Sequence, residues 1–154
     1  MKVTDYGFTA RLYRGDSTPP DALEDISRYS NDGSFKGAGE PDWIQMPSGL
    51  WVMSFDGSDD VITVGDCGID TKTFLAWIYP DDNTTRSIID LDSGTHSIEI
   101  DGSGDLTATG WAGPAIYVNA STTSAAIPES AWSFIAVTTT TAIDSSSVQI
   151  GQEA

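Results

Sequence analysis

One cysteine, one histidine and seven lysines and arginines are all that this 154-residue chain holds of those types. A single thiol, Cys67, excludes an intramolecular disulfide and any multi-cysteine zinc site. Against the seven cations stand 23 aspartates and glutamates, a formal net charge of −16. Nucleic acid is therefore a poor partner, because its phosphates need a basic footprint. Long hydrophobic runs are also missing. No uncharged apolar stretch approaches the roughly 18 residues that cross a bilayer, so no membrane insertion is expected. The opening residues lead into no apolar stretch with a small-residue cleavage site; export, on this reading, uses another route or a leader already removed. Convincing helical periodicity is absent along the whole chain.

What the chain has in quantity is aspartate (18 residues), serine (18), threonine (17) and glycine (15), an alphabet that makes turns and disfavours helix. Its length predicts one domain over residues 1–154. Residues 1–50 read as one strand at 6–13 followed by loop, interrupted by glycines and prolines, with room for a helical turn only at 21–29. From Leu50 onward short apolar runs alternate with turn clusters at the spacing of a sandwich. Nine strands are predicted, at 50–55, 61–64, 73–79, 87–90, 97–101, 106–109, 115–118, 132–138 and 147–150. The first two read as strand, tight acidic turn, strand, and antiparallel pairing is expected throughout.

Three strings and a loop carry a family likeness. They are Gly49-Leu50-Trp51-Val52-Met53-Ser54-Phe55-Asp56-Gly57-Ser58-Asp59-Asp60-Val61, then Phe74-Leu75-Ala76-Trp77-Ile78-Tyr79-Pro80, then Trp132-Ser133-Phe134-Ile135-Ala136-Val137-Thr138, with the earlier loop from Asp25-Ile26-Ser27 to Gly33. In order and spacing these resemble the blocks of the laminin-G-like, concanavalin A-like jelly-roll family. The resemblance implies an all-β, two-sheet antiparallel sandwich of about a dozen strands. It also implies a closing strand after Ile150-Gly151, which this sequence, ending at Ala154, does not contain. An unpaired edge is thus expected, left by a truncated sequence, closed by the N-terminal strand, or completed by a neighbouring subunit.

Candidate chemistry follows from the acids and the aromatics. The resemblance implies calcium on the loops, and hard cations take carboxylate and carbonyl oxygens, which makes Asp56, Asp59 and Asp60 candidate ligands. The same residues are ordinary turn formers, since an aspartate side chain bonds its own backbone. Glu99-Ile100-Asp101 begins like the paired carboxylates of a glycoside hydrolase but lacks a second glutamate, so no enzyme is expected. Trp111, Tyr117 and Asn119 are the candidate glycan-binding residues, as loop-proximal aromatics with a polar neighbour, while Trp51, Trp77 and Trp132 are expected to pack the core. His96 is expected to be an exposed loop histidine and Cys67 a small packing residue. Arg14-Gly15-Asp16 and the sequons at Asn83 and Asn119 are short enough to occur by chance.

The function expected from this reading is a non-enzymatic virion-surface or extracellular module that binds cell-surface glycans or neighbouring protein subunits. A structural assembly subunit, such as a capsid decoration or filament protein completed by a neighbour's strand, is the alternative, and a glycoside hydrolase comes last.

Overall fold

The computed structural model describes residues 10, 13–15, 19–35, 39–122 and 125–151. Twelve strands follow one another: β1 (Ala22–Leu23), β2 (Gly33–Phe35), β3 (Asp42–Gln45), β4 (Trp51–Ser54), β5 (Ile62–Gly65), β6 (Asp70–Ile78), β7 (Arg86–Asp90), β8 (Ser97–Ile100), β9 (Leu106–Thr109), β10 (Ala115–Val118), β11 (Ser133–Asp144) and β12 (Val148–Ile150). No helix occurs among the described residues. All strand pairings are antiparallel. A seven-stranded sheet runs β1-β2-β5-β12-β7-β8-β9, a three-stranded sheet β10-β11-β6, and β3 with β4 forms a separate hairpin.

The core lies between the two larger sheets, where inward residues of both meet in one cluster. Ile89, Ile98 and Leu106 come from the seven-stranded sheet; Val118, Ile135 and Val137 come from the three-stranded one. Ile62, Ile98, Leu106, Ile135 and Val137 are among the largest fully buried side chains, as the face-to-face packing of two antiparallel sheets requires.

All nine expected strands are present, as β4 to β12, which makes the chain an all-β sandwich. The connections were less legible. β4 and β5 do not form a hairpin: β4 pairs with β3, whereas β5 pairs with β2 and β12. Residues 56–60 therefore carry the chain from one sheet to another. No helical turn forms over 21–29; Ala22 and Leu23 pair with Ser34 and Gly33 instead. The loop that follows bonds to itself. The buried Asp25 carboxylate accepts Ser27 N, Ser27 Oγ and Asn31 N at 2.7–2.8 Å, and Asp32 Oδ1 accepts Asp25 N at 2.8 Å. The strand expected at 6–13 lies outside the described residues except for Ala10, bridged to Asp25, and Tyr13, whose carbonyl accepts Trp51 N at 3.0 Å.

None of the three tryptophans expected to pack the core belongs to the core cluster. Trp77 is 64% exposed and Trp132 39%, while Trp51 is half-buried and donates its indole N–H to Gly15 O at 3.0 Å. The reason lies in the run from Phe74 to Tyr79, which is apolar on both faces and so does not announce which face turns inward. In the register, Phe74, Ala76 and Ile78 stand opposite Val137, Ile135 and Ser133, all buried. That places Leu75, Trp77 and Tyr79 on the outside.

Candidate functional site

Among the described residues, the outer face of the three-stranded sheet holds the most exposed aromatic surface. Directly paired residues share a face. One row is therefore Leu75, Ala136 and Tyr117, and the next is Trp77 with Phe134. A third pair follows at the end of the strands, Tyr79 with Trp132. Ring centroids lie 5.4 Å apart for Trp77 and Phe134 and 5.5 Å apart for Tyr79 and Trp132, both tilted. Leu75 is 59% exposed and Tyr79 45%, so rings and an aliphatic side chain stand together against water. Successive rows are two residues apart along each strand, about 7 Å. Contiguous exposed apolar surface of this kind marks a binding site more often than it marks chance.

Of the three residues expected to bind glycan, this face takes in Tyr117, half-buried on β10, while Asn119 sits at its margin. Asn119 adopts φ 49 and uses both ends of its amide: Oδ1 accepts Phe134 N at 2.9 Å and Nδ2 donates to Ser133 Oγ at 3.2 Å. Its first task is thus to anchor the start of β11 beneath the aromatic pairs. Trp111 is no ligand platform. It is 5% exposed within the core cluster, and its indole N–H has no partner. The loop can fold it inward because Gly110, at φ 76, packs against the chain where a Cβ would fall 2.1 Å from Thr95 O.

The edge of β6 away from β11, unpaired among the described residues, opens onto a cleft of about 1890 Å³ between β6 and the β3–β4 hairpin. Its lining includes Val52 and Met53 on the hairpin, Phe74 on β6, and Ile89, Ile100 and Ile150 of the seven-stranded sheet. Sequence reasoning did not foresee the aromatic face, since cross-strand register is not written in any one strand. The available signal was the unbroken apolar run from Phe74 to Tyr79, apolar at every position instead of every second one, and the tryptophan immediately before β11.

The acidic turn between β4 and β5 does draw its carboxylates together. Ligand-capable oxygens of Asp56, Asp59 and Asp60 lie within 4.8 Å of one another, with Asp60 buried and the other two exposed, so the cluster could hold a metal ion. The oxygens also hold the turn itself. Asp60 Oδ2 accepts Asp56 N at 2.6 Å, and Asp56 Oδ1 accepts Ser58 N at 2.8 Å and Asp59 N at 3.4 Å. Positive charge is already near, because a Cβ on Gly57 would fall 3.1 Å from Arg86 Nε. Arg86 in turn pairs with Asp82 at 3.5 Å. The Asp82 carboxyl is held below its ordinary range by the Thr84 hydroxyl and backbone N–H, helped by Arg86.

The remaining candidates have structural roles. Cys67 is buried, and burial together with the charges of Asp25 and Asp66 pushes its thiol up to about 11, the opposite of what a nucleophile needs. His96 is half-buried rather than exposed, with Nδ1 2.6 Å from Asp92 Oδ2 in the β7–β8 turn. Glu99 receives the Ser97 hydroxyl, and Asp101 Oδ1 accepts Ser103 N and Asp105 N at 2.8 and 3.1 Å, closing the β8–β9 turn. Arg14 donates to Ser48 O at 3.1 Å, and Asp16 lies outside the described residues. Of the two sequon asparagines, Asn83 keeps a buried Oδ1 with no partner against Gly104, and Asn119 is tied as above.

No helix among the described residues is long and apolar enough to cross a membrane. Nothing among curated proteins or solved structures matches the chain. Residues 56–150 match the laminin G model of the concanavalin A-like lectin/glucanases superfamily. That stretch runs from the acidic turn through β12 and takes in the core, the aromatic face and the free edge of β6. With well over half its length matched, and with two antiparallel sheets closed over a common core, the chain belongs to the laminin-G-like branch of the concanavalin A-like lectin/glucanase superfamily.

Proposed function

We propose that this protein is a non-enzymatic binding module, displayed outside the cell or on a virion surface, that takes cell-surface glycans on the outer face of its three-stranded sheet. The observation that carries the reading is the pairing of exposed rings, Trp77 with Phe134 and Tyr79 with Trp132. A sugar ring offers an apolar C–H face that lies flat on an aromatic ring while its hydroxyls bond to polar neighbours. Thr73 and Thr138, opposite each other one row from Leu75, supply such neighbours on the same face. Calcium at Asp56, Asp59 and Asp60 would stiffen the turn that links the sheets. The structural employment of Glu99 and Asp101 supports a module without hydrolytic activity.

The test is binding to an immobilised glycan panel, repeated with Trp77→Ala and Trp132→Ala. Wild-type protein should retain a defined set of glycans, and each substitution should lower affinity for that set at least about tenfold, the loss of one stacked ring. Equal binding by both variants would remove this face from consideration.

A second reading is an assembly subunit that binds neighbouring copies or partner proteins. The free edge of β6 beside an apolar cleft favours it.

A further inference from the structure

Edge strands are ordinarily blunted by short length, proline, bulges or inward charge, because a bare edge recruits other chains. From Thr73 to Ile78 β6 uses none of these; its charges, Asp70 and Lys72, and the register shift against β11 all lie before that stretch. The strand is nine residues long, second only to β11, and its pairing with β11 runs unbroken from Thr73 to Ile78. Proline first appears at Pro80, past the strand end. On its other side no strand pairs with it among the described residues. The inward row Phe74, Ala76 and Ile78 borders a cleft whose floor is aliphatic, with Ile89, Ile100 and Ile150 among its residues.

We propose, deepening the assembly reading on which this rests, that β6 and its cleft accept an extended segment of a partner protein as an added strand, apolar on its inward face and basic at both ends. Another strand satisfies the whole row of N–H and C=O groups along the edge at their own spacing while releasing the water there, and alternating apolar side chains suit an aliphatic floor. The basic ends follow from charge. Asp70 stands at one end of β6 with Asp144 opposite it, and Asp81 and Asp82 follow its other end, all exposed. Lys72 is the lone cation within the strand. A second copy of this chain is disfavoured by the same pattern. Antiparallel pairing of β6 with itself sets the Asp70 end against Asp81 and Asp82 twice, parallel pairing sets like on like, and each chain carries −16.

The experiment titrates the full chain with a blocked peptide of about ten residues, alternating isoleucine and threonine, with two lysines at each end; ten residues span a strand of this length. Two control peptides carry glutamates in place of the lysines, or a central proline that removes a backbone donor. Binding is read by calorimetry and by hydrogen exchange at those amides of residues 73–78 that point away from β11, since alternate N–H groups of the strand already bond to β11. The expected result is slowed exchange of those amides on adding the lysine peptide, and at least about tenfold weaker binding of each control at low salt. The double variant Asp70→Lys with Asp81→Lys, changed only at exposed positions, should reverse the preference between lysine and glutamate peptides. Equal binding of the proline peptide, or binding without protection at 73–78, overturns the proposal. So does protection of those amides in the protein alone: with a dimer mass by light scattering it makes a second copy the occupant, and with a monomer mass it makes another segment of this chain the occupant. Oligomers that form while the outward-pointing amides of residues 73–78 still exchange freely would leave the assembly reading standing and sink this one.

Discussion

Trp77 faces Phe134 across β6 and β11 with ring centroids 5.4 Å apart, yet it is 64% exposed. A tryptophan in mid-strand of a sandwich would ordinarily serve the core. Here the inward positions of β6 belong to Phe74, Ala76 and Ile78, and Trp77 lends its area to a surface instead.

That placement separates two tryptophans that look alike in the sequence. Trp77→Ala removes a tilted aromatic contact at the surface and should cost about 1 kcal/mol. Trp111→Ala empties a core site and should cost about 3 to 5 kcal/mol. Urea denaturation of the two variants checks this, and a larger loss at Trp77 than at Trp111 would contradict the assigned faces of β6.

Gly110 should tolerate no side chain. Its φ of 76 and the 2.1 Å at which a Cβ would fall from Thr95 O predict that Gly110→Ala destabilises the fold by more than about 1 kcal/mol, since backbone at both sides would have to move. An unchanged melting temperature would show that the β9–β10 loop runs elsewhere.

The Cys67 thiol makes a pH prediction. Its folded pKa, about 11, lies above the reference value of 9.0, so the native state keeps the proton after the unfolded chain has lost it. The associated stability is intact below about pH 9 and is lost as pH rises toward 11. Unfolding free energies of wild type and Cys67→Ala, measured from pH 8 to 11, should therefore converge over that window. A constant difference between them would mean that the thiol is not shielded. Slow alkylation of the native protein at pH 8 is the companion result.

Calcium should raise the melting temperature if the Asp56–Asp59–Asp60 oxygens take a cation, since a ligand that binds only the folded state stabilises it by mass action. Asp59→Asn, at an exposed position, should abolish that rise while leaving the metal-free melting temperature within a few degrees. No shift with calcium, and none on adding a chelator, would leave these aspartates as turn formers held by their own hydrogen bonds.

Much of this molecule is legible in one dimension. Aspartate, serine, threonine and glycine between short apolar runs are enough to place β4 to β12, because turn chemistry and strand period are local properties. Cys67 as a packing residue, and the acidic turn as a place where carboxylates converge, were legible for the same reason. β1, β2 and β3 were not, since their short runs among glycines and prolines become strands only through partners elsewhere in the chain. The hairpin expected of β4 and β5 fails on the same ground, because a five-residue turn is as able to cross between sheets as to close one.

The site was decided by tertiary structure. Trp111, flanked by Gly110, Ala112 and Gly113, has the local sequence of an exposed loop aromatic, and only the approach of Gly110 to Thr95 turns it inward. Trp77 has the local sequence of a core residue, and only the register with β11 turns it out. Sequence by itself determined that strands form and roughly where, because backbone preference and hydrophobic period act over a few residues. Which face of each strand meets water, and which edge is left without a partner, depends on contacts between segments far apart in the chain.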